Sequence, residues 1–310
     1  MSKHLKGNTF LLLTALIWGT TFVAQRKGMD YIGPFTYTGI RSLVGCLVLI
    51  PIIILFSKLA KKNEGEKAPP SAAEKAKDRK VLIIGGISCG AAVFTANSLQ
   101  QIGLVSTTAG KAGFITALYI IIVPIFGIFL KRKIRPIVWL AAVLGIFGLY
   151  LLSIKSQDGF SISKGDFFVL LSAFAFAVHI LVVDHFSPKA DGIKLSCIQF
   201  LSCGLIAIPF MLILEHPQIP QILACWLPIL YAGVISCGGA YTFQILGQKY
   251  TEPTVASLIL SLESVFAAIA GALLLGETMM PREVWGCVIV FTAIILAQLP
   301  SRRDRLPAKN

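Results

Sequence analysis

Four ionisable side chains interrupt long apolar stretches of this sequence: Arg41, Lys111, His179 and Glu263. Glu263 lies near the middle of the apolar run 253–275. If this run crosses a bilayer, an ionised carboxylate costs at least about 2.5 kcal/mol there, so the side chain must face a partner or water. Glu263 could bind and release a proton, which would couple its chemistry to a proton gradient. The alternative is structural: hydrogen bonds to the backbone, Ser261 and Ser264 would hold a helix break.

The three cationic candidates have different expected roles. Lys111 begins an apolar helix and shares one face with Ile115 and Tyr119, at intervals of four residues. It could contact an anionic ligand, close a gate by pairing with a carboxylate, or extend to the membrane surface. Arg41 needs several acceptors inside a membrane, and we expect it to clamp helices together. His179 could relay a proton or make a hydrogen bond between helices.

Uncharged polar and aromatic side chains complete the candidate binding set. Such groups orient ligands in mostly apolar pockets, and they also hold membrane helices together. The set comprises Trp18, Thr21, Gln25, Asn97, Gln101, Thr116, Tyr119, Tyr241 and Gln244.

The composition indicates that helices in a bilayer must position these residues. Hydrophobic residues make up 55% of the chain and charged residues 14%, against about 25% charged in soluble domains, and the mean hydropathy is +0.78. About 20 apolar residues cross a bilayer as a helix. Ten apolar runs meet that length: 8–25, 35–56, 81–103, 112–130, 136–154, 167–184, 195–214, 223–247, 253–275 and 284–300. The predicted fold is an all-α integral membrane protein with ten transmembrane helices around a central cavity.

Several classes of function are disfavoured. The net charge of +13 does not indicate a nucleic-acid partner, because the basic residues lie in loops between apolar runs. The seven cysteines all fall in apolar stretches without metal-ligand spacing, so we expect neither a metal nor a cofactor. No G-x-x-x-x-G-K-[ST] motif occurs in the sequence, which leaves ATP-driven transport by this chain unsupported.

The distribution of Lys and Arg predicts the orientation. With the N-terminus inside, 21 of the 28 lie in inner loops and tails and 6 in outer loops, and Arg41 lies within a span. We therefore expect a multi-pass protein of the plasma (cytoplasmic, or inner) membrane with both termini cytoplasmic. The basic start is interpreted as part of an uncleaved first helix. The Lys- and Glu-rich segment 57–80 is predicted to be a solvated loop rather than an amphipathic helix.

Repeated elements indicate a duplication. The tetrapeptide I-S-C-G occurs at 87–90 and again at 235–238, an offset of 148 residues. Gln100 and Gln248 keep this offset, and Gly127 and Gly271 are separated by 144. Five crossings in each half would place the second copy upside down, and an inverted repeat can open alternately to the two sides. The predicted units are residues 8–154, residues 165–300 and a basic cytoplasmic tail at 301–310.

Longer stretches resemble the drug/metabolite transporter superfamily, specifically its EamA-type members. The resemblance covers roughly residues 8–300 and is carried by A-L-I-W-G-T-T-F-V (15–23), the helix that contains Arg41, 114–127 and 256–277. Two departures are Glu263-Ser264, where the family often has proline, and a Gly-Glu pair present only at Gly276-Glu277. The resemblance implies ten helices in two repeats around a cavity that passes small organic metabolites.

The sequence thus predicts a secondary active transporter rather than an enzyme. The favoured substrates are amino acids or related amphipathic compounds, exported by alternating access with protons as a candidate coupling ion. An uptake permease remains an alternative. A lipid-modifying membrane enzyme and a flippase are less favoured alternatives. The expected partners are a small-molecule substrate, protons and the lipid bilayer, while the substrate itself, the direction of transport and the oligomeric state stay open.

Overall fold

The computed structural model describes residues 3–63, 71–107, 109–132, 134–153, 163–275 and 280–299. Within these ranges every regular element is helical. The Gly276-Glu277 pair and the tail 301–310 lie outside them. The α-helices are α1 (Lys3–Gly28), α2 (Pro34–Asn63), α3 (Ala72–Leu104), α4 (Ala109–Thr116), α5 (Tyr119–Phe129), α6 (Pro136–Ser153), α7 (Lys164–Phe186), α8 (Gly192–Phe210), α9 (Ile219–Ala224), α10 (Trp226–Leu230), α11 (Tyr241–Gln248), α12 (Pro253–Leu260), α13 (Leu262–Leu275) and α14 (Pro281–Gln298). Two π-helical stretches, Met211–Glu215 and Tyr231–Ala240, follow α8 and α10.

The helices have the length and composition of a multi-pass membrane protein. Among the described residues, 7 helical stretches are long and apolar enough to cross a bilayer. They are Lys3–Gly28, Pro34–Leu59, Ala72–Leu104, Lys111–Phe129, Lys164–Phe186, Gly192–Glu215 and Trp226–Gln248, with shorter apolar helices at Pro136–Leu151 and Pro253–Ile269. Large apolar side chains such as Phe129 and Ile213 are 79% and 70% exposed. An apolar surface of this kind suits contact with lipid.

The bundle has two ends, and each end collects specific loops. At one end, named here the Lys111 end, α1 and α3 end and α2, α4 and α7 begin. At the other, named the Lys249 end, α2 and α7 end and α3 and α8 begin. Helices α2 and α3 extend into both sides of the segment 57–80, where the sequence predicts a loop. At the start of α3, the Ser71 side chain and the Glu74 carboxylate cap each other's backbone, which stabilises helix in a polar segment.

The N-terminus of α2 is held by a carboxylate from another helix. Glu215, at the end of the π-helical stretch after α8, accepts hydrogen bonds from Phe35 N (2.8 Å), Thr36 N (2.7 Å) and Thr36 Oγ1 (2.7 Å). These amides would otherwise lack partners at a helix start, where the helix dipole also favours a negative charge. The contact ties α2 to α8 at the Lys111 end.

Two runs that the sequence predicts as single helices are broken. The run 112–130 is divided between α4 and α5 at Ala117-Leu118, and the run 253–275 between α12 and α13 at Ser261. Tighter i to i−3 hydrogen bonds bridge both breaks, from Ile120 N to Ala117 O and from Ser264 N to Ser261 O. Tyr119 lies two residues after Ala117, and Glu263 lies two residues after Ser261.

Candidate functional site

A small cavity lies between helices of both halves of the chain. Its empty volume is about 330 Å³, and the centre of a water molecule can move over only about 20 Å³ of it. This is room for water but not for a larger ligand without some opening. The lining residues are Trp18, Phe22, Gln25, Arg41, Asn97, Gln100, Thr116, Tyr119, Phe176, Ser236, Tyr241 and Glu263.

Glu263 is the acidic group of the cavity. The side chain is 3% exposed and lies in the first turn of α13, just after the break at Ser261. Its Oε1 accepts a hydrogen bond from Tyr119 Oη (3.1 Å), and Tyr119 follows the other break. The helix break of the structural alternative is present at Ser261, but neither serine bonds Glu263, because Ser261 donates to Leu258 O and Ser264 Oγ is buried without a partner.

Arg41 is the cationic group of the same cavity, although the sequence favours a structural clamp over contact with a substrate. The residue is 1% exposed, and its guanidinium lies 5.2 Å from the centre of the Tyr37 ring on the same helix. Nε and Nη2 are buried without hydrogen-bond partners. Unpaired donors on a buried cation are costly, which makes the wall of the cavity a place where an anion would be stabilised.

Aromatic and amide side chains surround the two charges. Tyr241 Oη donates to Asn97 Oδ1 (3.1 Å), and the Tyr241 ring lies 4.6 Å from the Trp18 ring. Gln100 Nε2 donates to Thr116 Oγ1 (3.0 Å). The remaining donors Trp18 Nε1 and Asn97 Nδ2 are buried without partners. The predicted candidate Gln25 also lines the cavity, and its Oε1 is an unpaired acceptor.

Four predicted candidates are buried but do not line the cavity. Thr21 donates to Ile17 O in its own helix, and Gln101 Nε2 contacts Met29 Sδ at 3.7 Å. His179 Nε2 and Gln199 Oε1 are 3.0 Å apart, which joins α7 to α8. Gln244 donates to Gln248 within α11, and Gln248 in turn donates to Ile180 O. Hydrogen bonds within and between helices satisfy one polar atom of each side chain, while Gln101 Oε1, His179 Nδ1 and Gln244 Oε1 are buried without partners.

Lys111 lies apart from the cavity and pairs with a carboxylate at the Lys111 end. Its Nζ is 2.6 Å from Asp166 Oδ2, and the side chains are 31% and 4% exposed. Asp166 also accepts hydrogen bonds from Thr107 Oγ1 (2.7 Å) and Ser163 N (2.8 Å) at the start of α7. The ion pair therefore connects α4, in the first half, to α7, in the second.

Four cavity residues were not among the candidates chosen from the sequence: Phe22, Gln100, Phe176 and Ser236. Helical spacing could have found two of them, because Phe22 is four residues after Trp18 and Gln100 is three after Asn97. Ser236 belongs to the second I-S-C-G tetrapeptide, in the π-helical stretch. The first copy, in regular α3, does not reach the cavity. The two copies thus differ in backbone conformation.

Apolar clusters lie on both sides of the cavity along the bundle. Towards the Lys111 end, Phe22, Leu104, Ala112 and Val169 form one buried cluster, and Phe22 also lines the cavity. Towards the Lys249 end, another cluster comprises Cys89, Val183, Leu195 and Ile245. Both clusters consist of side chains from several helices, so each closes the bundle on its side of the cavity.

The arrangement suits reversible binding. It offers a carboxyl group, a guanidinium, amides and aromatic faces around a small space, which are the usual means of orienting a small polar ligand. Asp184 and His185, neighbours at the end of α7, do not line the cavity: Asp184 pairs with Arg132 at 2.6 Å, and His185 contacts Lys189. The fold and the site together define a multi-pass membrane protein with a small internal cavity lined by polar and charged side chains.

Comparison with known proteins gives the family. A model of the EamA-like transporter family matches residues 5–154 and 163–299, and the chain belongs to this family. An uncharacterized transporter of Archaeoglobus fulgidus is 28% identical over 305 residues, covering 96% of this chain and 87% of that protein. A chloroplastic WAT1-related protein of Arabidopsis thaliana is 26% identical over 312 residues, 96% of this chain and 71% of its own.

Two further likenesses agree with this assignment. The uncharacterized inner membrane transporter YedA of Escherichia coli is 22% identical over 301 residues, covering 92% of this chain and 88% of its own. A crystal structure of an 18% identical protein superposes with a TM-score of 0.72 over 97% of this chain and 99% of that chain, which shows the shared fold. Family and relatives indicate a transmembrane transporter of small molecules.

Proposed function

We propose that this protein is a secondary active transporter that exports amino acids or related amphipathic metabolites by alternating access. The observation that carries the proposal is the pair of buried charges in one cavity. Arg41 and Glu263 both line it, yet the described residues contain no ion pair between them. Two opposite charges kept apart around a small space suit a ligand that carries both charges itself.

A zwitterion complements the hydrogen-bonding groups as well. Its carboxylate would accept from the unpaired donors of Arg41, Trp18 and Asn97, and its ammonium group would face Glu263. The aromatic rings of Trp18 and Tyr241 would contact an apolar part of the ligand. The cavity as it stands holds no more than water, so the pathway must open before such a ligand can enter.

We propose ten transmembrane helices in two inverted repeats, and the helix boundaries support this count. Helix α4 covers 109–116 and α12 covers 253–260, an offset of 144 residues at both ends. Helix α6 covers 136–153 and α14 covers 281–298, an offset of 145 at both ends. The repeat units would then be 8–154 and 165–300, each with five crossings.

Contacts in the cavity support the same symmetry. The hydrogen-bonded pairs Asn97–Tyr241 and Tyr119–Glu263 are both separated by 144 residues. Residues near a two-fold axis meet their own counterparts, so this offset is what an inverted repeat would give at its axis. The I-S-C-G copies are 148 apart, four residues more, so they lie about one helical turn out of this register.

Close contacts between pairs of glycines provide one candidate closure at each end. At the Lys111 end, a Cβ added at Gly103 would lie 2.7 Å from Gly165 O; at the Lys249 end, one added at Gly7 would lie 2.9 Å from Gly247 O. Gly103 and Gly247 are again 144 residues apart. Such contacts allow backbones to pack closely. We propose that each pair closes one end of the pathway while the other end opens.

The proposed orientation places the Lys249 end in the cytoplasm. The loops with most of the Lys and Arg residues lie at that end, which supports a plasma-membrane protein with both termini cytoplasmic. We also propose protons as the coupling ion and Glu263 as the group that binds them. A buried carboxyl group that accepts a hydrogen bond from a neutral tyrosine can exchange a proton when water reaches it.

Transport by purified protein tests this function. Proteoliposomes containing wild type, Glu263→Gln or Arg41→Gln are loaded with radiolabelled amino acids, and efflux is followed with and without a pH gradient. Arg132→Gln, which removes an equal charge outside the cavity, is the control for Arg41→Gln.

We expect flux in wild type and in Arg132→Gln, little flux in Arg41→Gln, and flux independent of the pH gradient in Glu263→Gln. Metabolite profiling of cells with and without the protein would identify substrates beyond the panel. Unchanged profiles together with no flux above protein-free vesicles would refute the function. Unaltered pH dependence in Glu263→Gln would refute the coupling role alone.

A further inference from the structure

A second, open cleft lies at the Lys249 end of the bundle. The centre of a water molecule can move over about 540 Å³ of it, against about 20 Å³ in the cavity, so the cleft is accessible to solvent. It lies between the start of α3, the loop between α7 and α8, and the residue that follows α11. Its lining consists of Lys75, Asp78, Arg79, Leu82, Pro188, Lys189, Ala190, Asp191, Lys194 and Lys249.

The cleft is strongly cationic. Five of its residues are Lys or Arg and two are Asp, a net charge of +3. One of the two carboxylates caps a helix: Asp191 Oδ1 accepts hydrogen bonds from Ile193 N and Lys194 N (both 3.0 Å) at the start of α8. Among the cations, Lys189 Nζ lies 2.7 Å from His185 Nε2.

The other four cations lack such partners. Within the described residues, the side chains of Lys75, Arg79, Lys194 and Lys249 make no hydrogen bond or ion pair. They come from α3, α8 and the end of α11, so the fold itself brings them together. Like charges that share one cleft repel each other and raise the local concentration of anions.

Three helices connect this cleft to the cavity. Helix α3 carries Asn97 at the cavity and Arg79 in the cleft, and the chain through α11 carries Tyr241 and then Lys249. Helix α7 has Phe176 at the cavity and leads into the loop at Pro188. Between the two levels lies the apolar cluster of Cys89, Val183, Leu195 and Ile245. Cavity, apolar barrier and cleft thus follow one another along the same helices.

We propose that this cleft is an anion-gathering vestibule of the transport pathway, and that the preferred substrates are amino acids and related compounds with an additional carboxylate, which carry both charges but a net negative one. The proposal rests on the transport function proposed above and narrows its substrate class. The unpaired guanidinium of Arg41 in the cavity supports the same class independently. In the proposed orientation the vestibule faces the cytoplasm, from which an exporter takes its substrates.

A lipid headgroup is the competing ligand for a basic cleft at a membrane surface. The position of the cleft in line with the cavity favours the pathway, because a site for lipid needs no helices in common with the substrate site. The two possibilities predict different reaction rates for a cysteine placed in the wall of the cavity.

The first test measures the charge of the cleft without any substrate. Leu82→Cys places a thiol in it, and the reaction rates of an anionic sulfonate and a cationic trimethylammonium thiosulfonate are compared at low ionic strength. We expect the anionic to cationic rate ratio to exceed that of a small thiol in solution by about tenfold. It should fall at 1 M salt, where the screening length is about 3 Å.

Matched variants keep this test specific. Arg79→Gln with Lys194→Gln should lower the ratio, whereas Lys58→Gln with Lys131→Gln, the same loss of charge at the same end but outside the cleft, should not. Ala190→Cys repeats the measurement on the loop if Leu82→Cys folds poorly, and wild type supplies the background of native thiols. A ratio no higher than that in solution would overturn the proposal.

The second test asks whether the cleft serves the cavity. Ser236→Cys places a thiol in the cavity wall, and the same two reagents are applied from the Lys249 end in inside-out vesicles or from the Lys111 end in intact cells. The paired substitution Arg79→Gln with Lys194→Gln should lower the anionic to cationic ratio about tenfold from the Lys249 end alone.

A change at Leu82→Cys without a change at Ser236→Cys would assign the cleft to another ligand such as lipid and overturn the vestibule. A cavity thiol that neither end reaches would refute alternating access itself. A transporter that moves neutral amino acids with no effect of these variants would retain the proposed function and lose the vestibule.

Discussion

Removing the charge of Lys111 should open the Lys111 end of the pathway. The Lys111–Asp166 pair connects the two halves at 2.6 Å, and Asp166 is almost fully buried. The variant Lys111→Met keeps most of the aliphatic stem and deletes the charge. Asp166 would keep its hydrogen bonds from Thr107 and Ser163, so the start of α7 should remain intact.

The magnitude follows from the burial of the two partners. Breaking a fully buried pair costs about 3 to 5 kcal/mol, and an exposed pair contributes about 0 to 1 kcal/mol. Lys111 is 31% exposed and Asp166 retains other partners, so the closed state should lose about 1.5 kcal/mol. Since 1.4 kcal/mol is a factor of ten in an equilibrium, the population open at this end should rise roughly tenfold.

The assay is the reaction of Ser236→Cys with a membrane-impermeant thiol reagent applied to the Lys111 end. Lys111→Met should accelerate this reaction roughly tenfold, in line with the shift in population. The control is Lys164→Met, an exposed cation at the same end. An unchanged rate in Lys111→Met, or an equal acceleration by Lys164→Met, would refute the idea that the ion pair holds this end closed.

Three further predictions concern the scaffold. Gly103→Ala should make the Ser236→Cys thiol more reactive from the Lys111 end, and Gly7→Ala should do so from the Lys249 end, because each added methyl group forces one glycine contact apart. If either variant raised the reactivity equally from both ends, separate closures would be contradicted. Glu215→Ala should lower the free energy of unfolding by about 2 to 3 kcal/mol, since it leaves the first turn of α2 without its acceptor, with thermal unfolding in detergent as the measurement. Glu215→Gln should lose less, and equal losses would speak against charge as the cause. Arg132→Gln should change the unfolding free energy by less than about 1 kcal/mol, because its pair with Asp184 is 40% and 17% exposed, and a larger loss would show that this ion pair is structural.

Much of the binding set was predictable from residue type. Trp18, Asn97, Tyr119, Tyr241 and Glu263 are polar or aromatic side chains within apolar runs, and the structure brings them to one cavity. A polar group in lipid is costly, so its presence in the sequence already indicates an internal partner. Their roles in transport stay predictions, as do the repeat and the orientation.

Other assignments needed three-dimensional information. Whether Thr21 or Phe22 faces the cavity depends on the rotation of α1, and neighbouring residues on a helix point in different directions. The sequence favours a structural role for Arg41, because a guanidinium inside a membrane is expected to have several acceptors. The structure instead leaves two of its nitrogens without partners at the cavity. Asp166 lies at the edge of an apolar run, where a carboxylate is ordinary, so the sequence does not single it out. Its role follows from the ion pair with Lys111 in the structure.

The sequence by itself determined that the chain is a membrane protein of helices and that it resembles the EamA-type family. Insertion into a bilayer depends on the summed hydropathy of about 20 consecutive residues, which is a local property of the chain. The tertiary structure decided where α4 and α12 end, which charges meet and which stay apart, and that a cationic cleft lies in line with the cavity. These features depend on contacts between residues far apart in the chain, from the 55 positions that separate Lys111 from Asp166 to the 144 that separate Tyr119 from Glu263, and helix packing sets them.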